Sequence, residues 1–133
     1  LIGSQLAGKI ITMAGGLRDL ALMPSSTIQV LGAEKALFRS LRKNADSPKH
    51  GIIYTWPEIR GAQYWQRGKI SRLLAGKISI CSKVDYFKGD YIGDTILKEV
   101  KEKIEQIKES FPKPPKKKKR SRKSRRRKKG RRK

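Results

Sequence analysis

Apolar residues recur at intervals of three and four along much of this chain, and that spacing constrains the fold more than any other feature. In the last such segment the apolar residues are Leu97, Val100, Ile104, Ile107 and Phe111. A helix with this spacing gathers its apolar side chains on one face, which then has to be buried. Two heptads are too few to define a coiled coil, so we expect this helix to dock on a core.

Two earlier segments carry the same spacing and are bounded by residues that favour turns. Their apolar members are Leu6, Ile10, Met13 and Leu17 in the first segment, and Ile70, Leu73, Leu74, Ile78 and Cys81 in the second. Gly15 and Gly16 are expected to end the first helix. A short helical turn should follow and stop near Pro24, because proline interrupts the helical hydrogen-bond ladder.

The residues between these stripes predict one more helix and one extended segment. Ser25, Ser26 and Thr27 are suitable N-caps, and the helix after them should run from about residue 33 to residue 43. Residues 51–56 are expected to be a short extended segment, and Asp94 or Thr95 should cap the last helix. The sequence thus predicts an all-α fold, a compact helical domain with at most one short extended element.

Positive charge is concentrated near the C-terminal end of the sequence. The chain has 34 Lys/Arg and 11 Asp/Glu, a net charge of +23, and residues 113–133 hold 16 of the basic residues and no acid. The other 18 basic residues and all 11 acids give residues 1–112 a net charge of +7. The basic segment has nothing apolar to bury, so we expect a disordered tail over 112–133. The remaining residues, 1–111, are expected to form one domain that is an N-terminally truncated fragment.

This charge balance favours nucleic acid as a partner. A membrane is not expected, because no apolar run reaches the ~20 residues that span a bilayer. The single Cys81 cannot form an internal disulfide and suits an intracellular protein.

Patterns for catalysis and nucleotide binding are incomplete. Residues 3–9 fit G-x-x-x-x-G-K, but Ile10 stands where a phosphate-binding loop needs Ser or Thr to hold magnesium. One His and one Cys are too few for a zinc cluster. No nucleophile or orienting acid accompanies His50 at a recognisable spacing. We therefore predict no enzymatic activity, no cofactor and no metal site.

Basic residues form two groups that suit phosphate binding. Lys35, Arg39 and Arg42 recur at i, i+4 and i+7, so they share one face of the predicted helix. Leu37, Phe38 and Leu41 form a neighbouring apolar face that we expect to dock on the core. An ordinary solvated face has the same pattern, so periodicity alone leaves both interpretations open.

The second basic group lies at the start of the helix that carries Ile70. It comprises Arg67, Lys69 and Arg72, at a helix end whose free N–H groups attract anions. Lys49 and His50 lie in a loop between the two basic helices, and the groups converge if the helices pack side by side. Trp56, Tyr64 and Trp65 either stack on exposed bases or cover the core.

Residues 32–39, Gly-Ala-Glu-Lys-Ala-Leu-Phe-Arg, resemble the GAEK signature of the Nop domain. Residues 26–31, the Pro-Lys-His-Gly loop at 48–51 with Ile-Ile-Tyr after it, residues 67–72 and Val-Asp at 84–85 resemble further landmarks of that family. The resemblance covers roughly residues 1–111. Residues 56–65 and 85–87 look more like archaeal members than eukaryotic ones.

The resemblance implies a scaffold of box C/D RNA-guided 2′-O-methylation particles, which act in rRNA processing. Such domains recognise kink-turn RNA together with a ribosomal-protein-like factor already bound to it. Fibrillarin and self-association would use regions absent from this fragment. The expected location is the cytoplasm of an archaeal cell, or the nucleolus if the source is eukaryotic.

The resemblance also implies which residues meet RNA or protein. The expected interface residues are Gln29, Gly32, Glu34, Lys35, Arg39, Arg42, Lys49, His50, Arg67, Lys69 and Arg72. Glu34 would contact the protein half or form an internal salt bridge. The alternative function is a general basic RNA-binding or ribosome-associated protein that acts mainly through its tail.

Overall fold

The structure, a computed structural model, describes residues 1–43 and 46–116. Over these residues it contains seven α-helices, one 3-10 helix and no strand. The α-helices are α1 (Ser4–Ala14), α2 (Leu17–Leu22), α3 (Ser25–Val30), α4 (Glu34–Lys43), α5 (Pro57–Arg60), α6 (Arg67–Tyr86) and α7 (Gly93–Ser110), and the 3-10 helix is Ile52–Thr55. The predicted all-α fold is confirmed for this part of the chain. The predicted disorder of the tail concerns residues that lie mostly beyond Lys116, outside the described residues.

Helix α6 is the centre of the domain. It packs against α2, α3, α5, α7 and the 3-10 helix, and its predicted stripe supplies the buried residues Ile70, Leu74 and Ile78. Three serines on other sides of α6, namely Ser71, Ser79 and Ser82, are buried as well. Their small side chains let neighbouring helices approach α6 from more than one direction.

The first helix ends at the predicted glycines and buries part of the predicted stripe. Gly15 adopts φ +97 at the C-terminal end of α1, a conformation that glycine favours. Leu6 and Ile10 are buried, whereas Met13 is exposed. Ile10 lies within α1 and is buried in the domain core, so residues 3–9 match the motif without forming a phosphate-binding loop.

Two local predictions were wrong. Residues 25–30 form α3 themselves, with Pro24 at the N-cap position, instead of capping the next helix. Residues 52–55 form a 3-10 helix rather than an extended segment. Both segments bury one isoleucine deeply, Ile28 and Ile53, and this tertiary burial outweighs the local propensity.

The last helix docks on the core, as its spacing predicts. Val100 and Ile104 are fully buried against α6. Leu97 and Ile107 are partly buried against the core, Ile96 is buried as well, and Phe111 remains exposed, so the buried face gains Ile96 and lacks the last predicted residue. The helix begins at Gly93 without a side-chain cap, so the caps predicted at Asp94 or Thr95 are wrong.

A charged cluster joins α6 to α7. The Glu99 carboxylate accepts hydrogen bonds from Lys103 at 2.8 Å and from Lys77 at 2.9 Å. These hydrogen bonds lower the pKa of Glu99 to about 2, with the Lys103 bond contributing most. The predicted i, i+4 pair of Glu99 and Lys103 is therefore confirmed, and Lys77 extends it between the helices.

None of the helices in residues 1–43 and 46–116 combines the length and apolar character needed to cross a membrane.

Candidate nucleic-acid interface

The loop at residues 48–51 is fastened to the end of α3 by three hydrogen bonds. The backbone N–H groups of Gly51 and Ile52 donate to the carbonyls of Gln29 and Leu31 at 2.9 and 2.8 Å. The Gln29 side chain donates from Nε2 to the Lys49 carbonyl at 2.6 Å. Gln29, predicted to be an interface residue, therefore acts within the domain by positioning Lys49.

Two glycines permit this close contact between loop and helix. A Cβ atom at Gly51 would meet the carbonyl oxygen of Leu31, and would lie 2.8 Å from the carbonyl carbons of Val30 and Leu31. Gly32 adopts φ +90, and a Cβ there would lie 3.1 Å from the Met13 methyl group. The close approach expected at Gly32 is therefore present inside the domain.

The ring of Tyr54 lies between the loop and the start of α6. The His50 imidazole stacks on it with ring centroids 4.8 Å apart and planes inclined by 17°. The Arg67 guanidinium lies 5.5 Å from the same centroid. Arg67 also donates hydrogen bonds of 3.1 Å to the carbonyls of Arg60 and Ala62, so its position is well defined.

His50 is held in its neutral form by these surroundings. Its pKa is lowered by burial first, and then by the positive charges of Arg67 and Lys49. Its Nδ1 atom is buried and has no hydrogen-bond partner among the described residues. A neutral imidazole in a cationic cluster offers a hydrogen bond rather than another charge.

Lys49 lies beside the first turn of α6. Its ammonium is 5.8 Å from the centroid of the Tyr64 ring, and a Cβ atom at Gly68 would be 3.3 Å from the Lys49 stem. Lys49, His50 and Arg67 thus converge at one end of α6, as the loop and helix positions predicted. This end combines positive charge with the free N–H groups of a helix N-terminus.

The other two predicted residues of α6 point elsewhere. The Lys69 ammonium lies 4.2 Å from the centroid of the Phe111 ring, at the end of α7. The Phe111 carbonyl accepts hydrogen bonds from Trp65 at 2.6 Å and from Gln66 at 2.9 Å. Arg72 is exposed one turn further along α6. The three cations at the start of α6 therefore face two sides of the helix.

Helix α4 exposes both its basic stripe and most of its apolar residues. Lys35, Arg39 and Arg42 are exposed, and so are Phe38 and Leu41, at 57% and 73% of their surface. The predicted docking of Phe38 and Leu41 on the core is wrong. Ser40 is the buried residue of α4, and its hydroxyl contacts the Leu37 carbonyl and the Ser47 hydroxyl. Phe38 and Leu41 therefore lie in solvent beside the basic stripe.

Glu34, the first residue of α4, makes a local contact with the turn that precedes the helix. Its carboxylate accepts a hydrogen bond from the Gly32 N–H at 3.0 Å. This bond is the main reason why the pKa of Glu34 is lowered, followed by a bond to its own backbone N–H. Of its two expected roles, an internal contact is present, but it involves backbone N–H groups instead of a salt bridge.

No hydrogen bond or stacking contact within residues 1–43 and 46–116 joins the basic residues of α4 to Lys49, His50 or Arg67. The link between them is the backbone at Gly32 and Ile52, which places the start of α4 next to the loop. The loop residues thus converge with Arg67, but not with Lys69, which lies at Phe111. For the side chains of α4, convergence stays a prediction.

The three aromatic residues considered for base stacking have different environments. Trp56 is buried, and the Trp65 N–H donates a hydrogen bond to the Phe111 carbonyl. Tyr64 is 75% exposed. Sequence reasoning missed Tyr54, because no charge or spacing pattern marks a single tyrosine that His50 and Arg67 contact only in the folded chain.

Comparison with known proteins identifies the family of this domain. Residues 1–106 match the family model named Nop, described as "snoRNA binding domain, fibrillarin". The chain therefore belongs to the Nop family.

Relatives with curated descriptions occur in archaea and eukaryotes. An uncharacterised NOP5 family protein of Methanocaldococcus jannaschii is 54% identical over 114 residues, which is 86% of this chain and 27% of the relative. Nucleolar protein 56 of Schizosaccharomyces pombe is 42% identical over 107 residues, or 78% of this chain and 22% of the relative. Human nucleolar protein 56 is 41% identical over 107 residues, which is 78% of this chain and 18% of the relative. The chain thus spans about a quarter or less of these relatives.

Proposed function

We propose that this chain is a non-catalytic scaffold domain of box C/D RNA-guided 2′-O-methylation particles. It binds kink-turn RNA together with the ribosomal-protein-like factor already bound to that RNA. The observation that carries the proposal is the surface of α4, where a basic stripe lies directly beside exposed Phe38 and Leu41.

The two chemistries of α4 suit two different partners. Lys35, Arg39 and Arg42 provide charge-assisted contacts to phosphates. Phe38 and Leu41 gain nothing from phosphates, but burial against a protein would remove their apolar surface from water. A partner made of RNA and protein together satisfies both halves of the surface.

The loop and the start of α6 supply the rest of the proposed RNA contact. Lys49 and Arg67 bring two positive charges to the same end of α6, and Gln29 and Tyr54 hold them there. Fixed cations lose less conformational entropy on binding than free ones do. Lys69 and Arg72 extend the basic surface along α6.

Other partners of the particle belong to other parts of a complete protein. Fibrillarin binding and self-association are proposed to use regions outside the present sequence. The proposed location is the cytoplasm of an archaeal cell, or the nucleolus of a eukaryotic one. The name of the eukaryotic relatives, nucleolar protein 56, supports the latter setting.

A gel-shift titration tests the proposal. The RNA is a kink-turn with or without its bound factor. Two forms of the protein are compared, the full chain and a chain that ends at Pro115. The shorter form lacks most of the basic segment but keeps the Phe111 contacts. We expect both forms to prefer the RNA–factor complex over RNA alone. Equal binding to both by the shortened chain would contradict the proposal.

The alternative is a general basic RNA-binding or ribosome-associated protein. The observation that favours it is the charge of residues 113–133, which hold 16 Lys/Arg and no acid. Such a protein would lose nearly all affinity when it ends at Pro115, and its binding would decline steeply with salt on any RNA.

A further inference from the structure

We infer that Tyr64 is the stacking platform for one unpaired base of the bound RNA. This inference rests on the proposed function and makes it more specific, because it names the kind of nucleotide that meets the end of α6.

The other aromatic rings at this end of α6 have contacts inside the domain, including Phe111, whose ring centroid lies 4.2 Å from the Lys69 ammonium. Tyr54 is covered by His50 and Arg67, with centroid distances of 4.8 and 5.5 Å. Trp56 is 7% exposed. Trp65 is held through its N–H by the Phe111 carbonyl. Stacking a base on Tyr54 or Trp56 would therefore displace contacts inside the domain, and the hydrogen bond of Trp65 fixes the orientation of its ring.

Tyr64, by contrast, has an exposed ring. It is 75% exposed, and its contact with the domain is the Lys49 ammonium, 5.8 Å from its centroid. An exposed aromatic ring beside a structured loop gives a partner a large, rigid surface to cover at little cost in conformational entropy. The flat face of a nucleobase is such a partner, and every base presents one.

The charges beside Tyr64 fit a nucleotide better than a protein side chain. Lys49 is fixed by the hydrogen bond from Gln29 to its carbonyl and by its packing on Gly68. A base stacked on Tyr64 would place its phosphate near the Lys49 ammonium, within the field of Arg67. Unpaired bases flanked by phosphates are recognised in this way, by a ring and neighbouring cations.

The platform selects for an unpaired nucleotide and not for a particular base. A paired base inside a helix has both faces occupied by its neighbours, so it cannot stack on Tyr64. Tyr64 offers no hydrogen bond pattern that distinguishes the four bases. The expected ligand is therefore a loop, bulge or single-stranded end next to the kink-turn.

The test combines a protein variant with base-deleted RNA. The full chain is titrated against the RNA–factor complex in which each unpaired nucleotide in turn is replaced by an abasic one. We expect Tyr64→Ala to weaken binding to intact RNA about tenfold and Tyr64→Phe to bind nearly as well as the original. At one abasic position the original chain should lose the same factor, and Tyr64→Ala should lose nothing more.

Tyr91→Ala is the matched control, since Tyr91 is 76% exposed but lies beyond the other end of α6. It should bind like the original chain. The inference is overturned if Tyr64→Ala has no effect, or if its loss is the same on every abasic RNA, which would place Tyr64 against the protein factor. A chain that does not prefer the RNA–factor complex at all would refute the proposed function as well, whereas the other two outcomes leave that function intact.

Discussion

The imidazole of His50 stacks on the ring of Tyr54, with centroids 4.8 Å apart. Arg67 lies over the same tyrosine, so one ring connects the loop to the first residue of α6. The arrangement keeps a histidine neutral among cations. It also makes this histidine, the only one in the chain, a reporter of the candidate interface.

The first prediction concerns the pKa of His50. We expect a value below the ordinary 6.5, because burial and the charges of Arg67 and Lys49 oppose protonation. Arg67→Gln should raise that pKa, whereas Arg72→Gln, on the same helix but without this contact, should leave it unchanged. An NMR titration of the imidazole resonances measures it, and a pKa above 6.5 in the original chain would contradict the structure.

The same shift has a consequence for stability. Since folding lowers the pKa of His50, its contribution to stability is complete above about pH 6.5 and is lost as the pH falls through the lowered value. The denaturation temperature should therefore fall less between pH 7 and pH 5 for His50→Gln than for the original chain. An equal or larger difference would argue against the lowered pKa.

A second prediction concerns Gly51. Gly51→Ala forces a methyl group against the Leu31 carbonyl, so the hydrogen bonds that fasten the loop have to stretch. We expect a loss of about 2 kcal/mol in the free energy of unfolding. The control is Gly76→Ala in α6, where a Cβ meets nothing within 4 Å, and stability should rise by roughly 0.5–1 kcal/mol. Denaturant titrations compare the two, and equal effects would show that the loop contact is not required.

The third prediction separates binding from folding on α4. Leu41→Ala and Arg39→Ala should each weaken binding to the RNA–factor complex but change the unfolding free energy by no more than about 0.5 kcal/mol, since both residues are exposed. Ile53→Ala, a fully buried control, should cost about 2–5 kcal/mol. If Leu41→Ala destabilised the domain as much as Ile53→Ala, the burial assigned to α4 would be wrong.

The fourth prediction concerns acid stability. Folding lowers the pKa of Glu99 from 4.5 to about 2, so its contribution is present above pH 4.5 and is lost as the pH falls towards 2. Glu99→Gln should reduce the denaturation temperature modestly at pH 7 and much less near pH 2, because exposed pairs contribute little. Glu105→Gln, whose partner Lys108 lies at 3.8 Å, is the control and should have a smaller effect at pH 7.

The positions of the long helices could be predicted because their periodicity is a property of the local sequence. Ile70, Leu74 and Ile78 mark the buried side of α6, and Val100 and Ile104 mark that of α7. The same reasoning failed for α4. An apolar pattern indicates which residues prefer to leave water, but not whether the core or a partner will cover them.

The candidate site was predicted in part for a similar reason. The start of α6 and the loop were identified from charge and from the family resemblance, and the structure brings Lys49, His50 and Arg67 together. The contacts of Gln29 and Tyr54 form only in the folded chain. Gln29 bonds to Lys49, 20 residues further along the sequence, and Tyr54 stacks on His50. No spacing rule predicts such contacts before the fold is known.

The hydrogen bonds from Trp65 and Gln66 to the Phe111 carbonyl also govern how the molecule meets its target. They join the end of α7 to the start of α6, so the segment with 16 Lys/Arg leaves the domain at the end that carries Arg67. The other end of α6, about 30 Å away, has both signs of charge, with Lys83 and Asp85 in the helix and with Lys88, Asp90 and Asp94 after it. Lys113 and Lys116 therefore add positive charge at the end of α6 that carries Arg67, and we expect RNA to be attracted most strongly to this end before any contact forms.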